Sequence, residues 1–203
     1  MSLFQFFKDI YSFKKAMLVA VSLFIVGIIL GTVNSQLIDQ IIQPSIAQLQ
    51  SISTDLSSSN NPEWSFFKFI FINNATKSLA VLALGGFFGL VPAFFLVMNG
   101  MMLGYILAVA AASGQAWGII LVRGILPHGI IELPVIIIAA AYGLQFGYLV
   151  LRSLGEMGGA GKGQKSVNWR GYFQKVIRAV VWITLLLCIA AVIESTITFY
   201  LVK

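Results

Sequence analysis

Long apolar runs, separated by shorter polar segments, dominate the hydrophobic pattern of this chain. The runs are continuous and do not alternate with polar residues, which is typical of membrane-spanning helices and not of β-barrel strands. Their lengths predict five spanning helices, at about 16–33, 66–90, 92–112, 128–151 and 177–200. We therefore expect an all-α, polytopic membrane helix bundle that forms one integral membrane domain over residues 1–203.

Two polar segments beside the first span retain a helical repeat of apolar residues. In residues 1–15 the repeat consists of Leu3, Phe4, Phe7, Ile10 and Tyr11. In residues 34–65 it consists of Leu37, Ile38, Ile41, Ile42, Ile46 and Leu49, with an interruption at Pro44. Because such a repeat gives a helix one apolar face, we expect an interfacial amphipathic helix in each segment.

The first apolar run has an alternative interpretation. It could belong to a cleaved signal peptide, because Val33 and Ser35 could flank a cleavage site. The run is longer than the apolar core of a usual signal peptide, and this length favours a retained first span.

The fourth apolar region, residues 116–151, is too long for one ordinary span and too short for two. A re-entrant half-helix near 116–127, followed by a full span to Leu151, accounts for this length. Pro134 should break, kink or restart the helix, since proline lacks a backbone donor and clashes with the preceding turn. A single tilted and kinked helix is the alternative.

The composition agrees with a membrane protein, and the distribution of charge predicts its orientation. Of the 203 residues, 59% are hydrophobic and only 10% are charged, whereas soluble proteins average about 25% charged residues. Residues 1–15 and 152–178 are basic, and residues 34–65 are acidic without any Lys or Arg. Because basic segments stay on the cytoplasmic side, we expect a cell-membrane protein with a cytoplasmic N-terminus and an extracytoplasmic C-terminus. The net charge of +6 then reflects orientation, and no nucleic-acid partner is expected.

The most distinctive polar stretch is Pro127-His-Gly-Ile-Ile-Glu-Leu-Pro, which lies between apolar runs. On a helix, His128 and Glu132 would share one face because they are four residues apart. Pro127, Gly129 and Pro134 predict a helix break around them. An ionisable group inside the bilayer costs about 2.5–3.5 kcal/mol on insertion scales, so it is usually functional and paired. The stretch is either a proton relay or ion site, or a polar latch that fixes an irregular turn.

Five further polar residues complete the candidate cluster. They are Asn73, Asn74 and Lys77 in the second span, Asn99 in the third, and Arg123 shortly before the central stretch. Buried amides need hydrogen-bond partners, so the asparagines either link helices or line a solute cavity. Arg123 could pair with Glu132 or extend to the outer interface. Glu194, near the outer end of the last span, is expected at the water boundary.

Several enzyme and metal classes lack the residues that they need. The chain has one His and one Cys, so a His-Glu-x-x-His zinc helix is excluded and a cysteine-based metal site would need other ligand types. The Gly-x-Ser-x-Gly motif of serine hydrolases does not occur in the sequence. We expect no catalytic residues, no bound metal and no cofactor.

Gly-x-x-x-Gly pairs recur along the apolar runs. They occur at Gly27/Gly31, Gly85/Gly89, Gly100/Gly104, Gly114/Gly118 and Gly143/Gly147. Small residues one turn apart allow the backbones of two helices to approach closely. The pairs therefore predict either a tight bundle within one chain or a homodimer.

Four stretches of the sequence carry a resemblance to a known family. They are Phe71-Ile-Asn-Asn, Gly85-Gly-x-x-Gly, Asn99-Gly-Met-Met-Leu-Gly and, above all, Pro127-His-Gly-Ile-Ile-Glu-Leu-Pro. On these motifs the chain resembles the stage II sporulation protein M family of multipass membrane proteins, over about residues 16–200. The family's named member anchors a peptidoglycan-degrading complex during engulfment, so the resemblance implies a scaffold role in envelope remodelling.

Two functions follow as hypotheses. As a non-enzymatic scaffold or morphogenetic protein, the chain would dock membrane or envelope proteins on its outer 34–65 segment and its 152–178 loop. As a small-solute transporter or proton-coupled channel, it would line a path across the bilayer with His128, Glu132 and the asparagines.

Overall fold

The computed structural model describes residues 2–112, 126–157 and 166–198 of the chain. Over these residues the structure consists of seven α-helices and one π-helical turn, without any strand. The helices are α1 (Leu3–Ser12), α2 (Lys14–Val33), α3 (Ser35–Ser57), α4 (Pro62–Leu84), α5 (Leu90–Ala112), α6 (Leu126–Met157) and α7 (Trp169–Ile193). The π-helical turn, Glu194–Thr198, directly continues α7.

Five of these helices are long and apolar enough to cross a membrane. The spanning segments are Lys14–Val33, Pro62–Leu84, Leu90–Ala112, Gly129–Met157 and Trp169–Thr196. The predicted all-α architecture with five spanning helices is therefore confirmed. The predicted re-entrant half-helix near 116–127 falls mainly on residues 113–125, which lie outside the described part of the chain.

Local sequence signals explain where two of the spans begin. Asn61 precedes α4, and its side-chain oxygen accepts a hydrogen bond from the backbone N–H of Trp64 (3.2 Å). Asn168 precedes α7 and accepts in the same way from Gly171 (2.8 Å). Each side chain satisfies one of the backbone donors that a helix N-terminus leaves free.

A short turn, Gly85–Gly89, joins α4 to α5. Phe88 and Gly89 both have positive φ angles, 55° and 78°, which is a conformation that glycine adopts without steric cost. Pro92 lies in the first turn of α5, where its missing N–H would have no partner within the helix in any case.

The glycine pairs of α2 and α5 pack directly against each other. A methyl group on Gly27, Gly31, Gly100 or Gly104 would overlap a backbone carbonyl oxygen of the facing helix. Because only hydrogen atoms occupy these positions, the two backbones lie in contact along the seam. This is the close approach that the spacing of the glycines predicted.

The remaining described pairs form a second seam, between the α4–α5 turn and α6. Gly85 lies against the backbone of Gly143, and Gly147 lies against Phe88 and Gly89. These glycine faces are thus occupied within the chain, and a homodimer would have to use another surface. The fifth pair, Gly114/Gly118, lies outside the described residues.

Helix α6 occupies the centre of the bundle and contacts α2, α4, α5 and α7. Its alanines Ala139, Ala140 and Ala141 are fully buried, as are Ile183 and Leu187 of α7. Small residues on α6 let four neighbouring helices approach it at once.

Candidate functional site within the membrane spans

The central polar residues lie at a similar depth in the bundle. Gly85 packs on Gly143, so these two glycines define one level, at the turn between two spans. At 1.5 Å per residue, Lys77 lies about 12 Å and Asn73 about 18 Å along α4 from Gly85, and Glu132 lies about 16 Å along α6 from Gly143. All three residues belong to spanning segments, Lys77 and Asn73 to Pro62–Leu84 and Glu132 to Gly129–Met157.

Glu132 is the centre of a charged cluster drawn from three elements. Its half-buried carboxylate interacts electrostatically with the exposed ammonium group of Lys77 on α4. It also interacts electrostatically with Glu194 of the π-helical turn. The fold thus brings two carboxylates and one ammonium group together within the spanning part of the molecule.

Sequence reasoning did not assign Glu194 to this cluster, but placed it at the water boundary. The structure brings it to Glu132 because α7 and its π-helical turn pack beside both α4 and α6. A π-helical turn is rare and often lies at a functional site. The signal that could have identified Glu194 was its position as a carboxylate inside the last apolar run.

The asparagines divide into two groups. Asn73 and Asn74 are half-buried, and the side-chain amide of Asn73 donates to the side-chain oxygen of Asn74 (3.3 Å). Asn99 donates to the carbonyl oxygen of Phe95, one turn earlier in α5 (2.8 Å). The side-chain donor of Asn99 is therefore used within its own helix. Asn73 and Asn74 pair with each other on α4, the helix that also carries Lys77.

One face of α4 forms an open groove with a volume of about 570 Å³. The described residues that line it are Lys68, Phe69, Ile72, Asn73, Thr76 and Lys77. Lys68, Ile72, Thr76 and Lys77 are exposed, and the ammonium group of Lys68 lies 5.3 Å above the ring of Trp64. A spanning helix of this chain thus presents a face on which two cations, an amide and a hydroxyl lie among apolar side chains.

The central sequence stretch lies at the beginning of α6. Pro127 occupies the first helical turn, His128 and Glu132 both belong to α6, and Gly129 is buried. The side chains of Pro127 and His128, and the whole of Arg123, lie outside what the structure describes. Roles for His128 and Arg123 in the cluster therefore stay predictions.

Pro134 lies inside α6, and the helix continues through it. The prediction that the helix breaks or restarts at this residue is therefore wrong, and the alternative of a kink stays a prediction. A spanning helix tolerates one missing backbone hydrogen bond when neighbouring helices and local adjustments satisfy the freed carbonyl group.

The family model for stage II sporulation protein M matches residues 20–199. The chain belongs to the stage II sporulation protein M family. The match includes all five spanning segments apart from the first residues of α2, so the predicted resemblance is confirmed and the chain is a multipass membrane protein. No curated protein and no solved structure matches the chain significantly.

A second charged contact in this member of the stage II sporulation protein M family was not predicted. The guanidinium Nε of Arg178 on α7 donates to the carboxylate of Asp9 on α1 (2.7 Å), and Asp9 is only 2% exposed. Lys175 donates to the hydroxyl of Ser12 (2.7 Å). Phe6 of α1 stacks on Trp182 at 6.3 Å between ring centroids. Together these contacts fix α1 along α7.

An aromatic cluster surrounds this second contact. Phe13 meets the ring of Tyr142 edge-on at 5.1 Å, and the hydroxyl of Tyr172 donates to the carbonyl oxygen of Tyr142 (3.0 Å). The hydroxyl of Tyr142 is buried near Asp9 and Arg178 and has no hydrogen-bond partner among the described residues. Aromatic side chains and the Asp9–Arg178 ion pair therefore fill the space between α1, α6 and α7.

The chemistry open to the described residues is that of charge and hydrogen bonding. Within residues 2–112, 126–157 and 166–198, no group of three or more His, Cys, Asp or Glu side chains is placed to hold a metal ion. Cys188 is a free thiol in the last span. The Glu132, Glu194 and Lys77 cluster can attract polar groups, exchange protons or attract a cation.

Proposed function

We propose that this chain is a non-enzymatic integral membrane scaffold that binds another membrane protein on the polar face of α4. The observation that carries the proposal is the exposed stripe of Lys68, Thr76 and Lys77, with Asn73 beside it, on a helix that crosses the bilayer. Of the five spanning helices, α4 is the least apolar. Its two lysines and Thr76 are exposed on one side of the helix.

Lipid chains are a poor environment for this face. A lysine in the centre of a spanning helix costs about 2.5–3.5 kcal/mol on insertion scales, and exposed amides and hydroxyls in hydrocarbon lack hydrogen-bond partners. A neighbouring helix with carboxylate, amide or hydroxyl groups would satisfy Lys77, Thr76 and Asn73 together. The lowest-energy cover for this face is thus protein.

The membership of the family supports the same function at a coarser level. Its description refers to the second stage of sporulation, so the chain is a membrane protein of a sporulation-related family. A role in remodelling the cell envelope, with the N-terminus in the cytoplasm, is part of our proposal. The excess of Lys and Arg in residues 1–15 and 152–178 supports that orientation.

Site-specific photocrosslinking in native membranes tests the scaffold function. We would place a photoreactive amino acid at Thr76, in the groove, and at Ile25, an exposed apolar residue within the span formed by α2. A docked partner should give a discrete crosslinked product from Thr76 and only lipid adducts from Ile25. Identical adducts from the two positions would contradict a protein partner on α4.

A second candidate function, passage of protons or cations, rests on a different observation. Glu132 and Glu194 come from different elements, yet they interact electrostatically within the spanning region. Carboxylates so placed can exchange protons with each other or attract a cation as it crosses. Intramembrane carboxylates commonly line such pathways.

Reconstitution into vesicles distinguishes this second function from the first. Proteoliposomes with an imposed proton gradient should show a flux that Glu132→Gln abolishes, whereas Asp55→Asn, an exposed carboxylate on α3, leaves it unchanged. If the unmodified protein gives no more flux than empty vesicles, the chain is not a proton pathway. The same assay with monovalent cations applies to the ion version.

A further inference from the structure

The junction of α1 and α2 contains a groove of about 400 Å³ that no function discussed above uses. It is lined by Ile10 and Tyr11 of α1 and by Lys14, Met17, Leu18, Val21 and Ser22 of α2. The groove lies on both sides of Phe13, where the chain turns from one helix into the other, and follows the first turns of the first span. Its opening faces away from the bundle, because Tyr11 and Leu18 are 71% and 70% exposed.

The opposite side of α1 holds the groove in shape. Asp9 and Ser12 are bound by Arg178 and Lys175 of α7, and Phe6 stacks on Trp182. These contacts fix α1 against the bundle and so fix the angle between α1 and α2. A site built on contacts of this kind needs little reorganisation when a ligand enters.

The groove combines apolar walls with one cation at its end. Met17, Leu18 and Val21 form a hydrocarbon-like surface that extends about 10 Å along α2 from Lys14. The ammonium group of Lys14 is exposed and lies 5.4 Å above the ring of Tyr11. This order, with a charge at the membrane surface and apolar side chains below it, matches the order of groups in a phospholipid.

We propose that this groove binds an anionic phospholipid, with the phosphate at Lys14 and one acyl chain along Met17, Leu18 and Val21. The charge of the junction favours an anionic headgroup, because Lys8, Lys14 and Lys15 are exposed. Lys175 and Arg178, the nearby cations of α7, are already engaged by Ser12 and Asp9. The inference rests on the multipass membrane fold and is independent of the function proposed for α4.

Lipid binding to the purified, detergent-solubilised protein tests the headgroup contact. The probes are phosphatidylglycerol and phosphatidylcholine with identical acyl chains, and bound lipid is counted by native mass spectrometry. Lys14→Gln should weaken phosphatidylglycerol binding about fivefold, the contribution of one lysine near an anionic surface. Lys15→Gln, which removes the same charge one residue away, should change it less than twofold.

A second set of measurements tests the acyl-chain contact. Leu18→Trp should fill the groove and lower the binding of long-chain phosphatidylglycerol, while the protein keeps its thermal unfolding midpoint. In the unmodified protein, binding should weaken as the acyl chains are shortened, and inorganic phosphate should not displace the lipid. Because this chain-length series needs no variant, it tests the proposal even if Leu18→Trp fails to fold.

Three results would overturn the lipid site. Equal losses for Lys14→Gln and Lys15→Gln would show diffuse surface attraction only. Equal binding of phosphatidylcholine would remove the headgroup preference, and displacement by inorganic phosphate would show a free anion site without an acyl-chain groove.

Discussion

Two pairs of opposite charges on different helices have opposite surroundings in this molecule: Asp9 and Arg178 form an ion pair at 2.7 Å, whereas Lys77 and Glu132 interact only through the electrostatic field. The first is closed, because Asp9 is buried and the buried hydroxyl of Tyr142 lies near both charges. The second opens onto the groove of α4, where the lysine is exposed. A closed pair fixes one element of the fold to another, whereas an open pair in the bilayer needs a partner from outside.

Substitutions at the two pairs should therefore change different properties of the protein, stability at the first pair and binding at the second. Breaking the closed pair leaves a buried charge, so it should lower the free energy of unfolding. Changing the open pair should leave the bundle intact and alter what the bundle binds. The following experiments test this division, beginning with the largest expected effect on stability.

Arg178→Ala should destabilise the protein most, by about 3 kcal/mol, because it leaves the carboxylate of Asp9 buried without its cation. This value is at the lower end for a broken buried pair, since the guanidinium group is itself partly exposed. Thermal unfolding in mild detergent, followed by circular dichroism, measures the effect. The loss should appear together with detachment of α1, which proteolysis near the N-terminus detects.

The double variant Asp9→Ala/Arg178→Ala is the control for that prediction. It removes both charges, so it should be more stable than Arg178→Ala alone. If the double variant loses as much as the two single losses added together, the pair is not coupled and α1 is held by its aromatic contacts instead.

Gly143→Ala should rank next, with a loss of about 2 kcal/mol from overpacking. A methyl group there would lie 2.6 Å from the side chain of Pro92 and 2.7 Å from the carbonyl oxygen of Val81. Gly155→Ala is the matched control on the same helix, because a methyl group at Gly155 meets nothing within 4 Å. Equal unfolding midpoints for the two variants would contradict the tight α4–α6 seam.

The sequence was most informative where length and spacing alone decide the structure. Apolar runs long enough to span the bilayer predicted five membrane helices, and glycine pairs one turn apart predicted backbone contact. It also drew attention to Glu132 and Lys77 as candidates, since a charge in an apolar run is conspicuous by itself. Each of these inferences needs only residues that are close together in the chain.

Contacts between residues far apart in the chain could not be predicted from length and spacing. Helical spacing correctly gives residues 1–12 an apolar stripe, but most of that stripe is exposed, and Phe6 and Asp9 face the protein. Nothing in the spacing says that α7 will lie beside α1 or that Glu194 will reach Glu132. The choice of neighbours depends on how all the helices pack together, and a single sequence does not show it.

Tyr105→Phe should have a smaller and more local effect, at the junction of α3 and α5. The Tyr105 hydroxyl donates to the carboxylate of Asp39, and the side-chain amide of Gln43 donates to the same oxygen (2.9 Å). These hydrogen bonds, that from Tyr105 first, lower the pKa of Asp39 below its ordinary value of 3.8. The contact therefore stabilises the folded state above pH 3.8 and is lost as the pH falls through the lowered pKa.

Hydrogen–deuterium exchange of the α3 amides measures this contact. After correction for the intrinsic pH dependence of amide exchange, the protection of the α3 amides should fall on acidification in the unmodified protein. Tyr105→Phe should already have lower protection at neutral pH and show a smaller acid step. Asp55→Asn, on the same helix but exposed, should behave like the unmodified protein. An unchanged acid step in Tyr105→Phe would assign the pH dependence to another group.

Lys77→Gln should have the smallest effect on stability, within about 0.5 kcal/mol, because the side chain is exposed and glutamine suits a helix equally well. The variant should nevertheless lose the protein crosslink from Thr76, since the ammonium group is the strongest attraction that the α4 face offers. Lys68→Gln, near the end of the span, should retain it. A large fall in the unfolding midpoint of Lys77→Gln would instead place this lysine with Arg178, as a closed structural contact. Stability and partner binding, measured on the same variants, therefore decide whether the two charged contacts really differ in role.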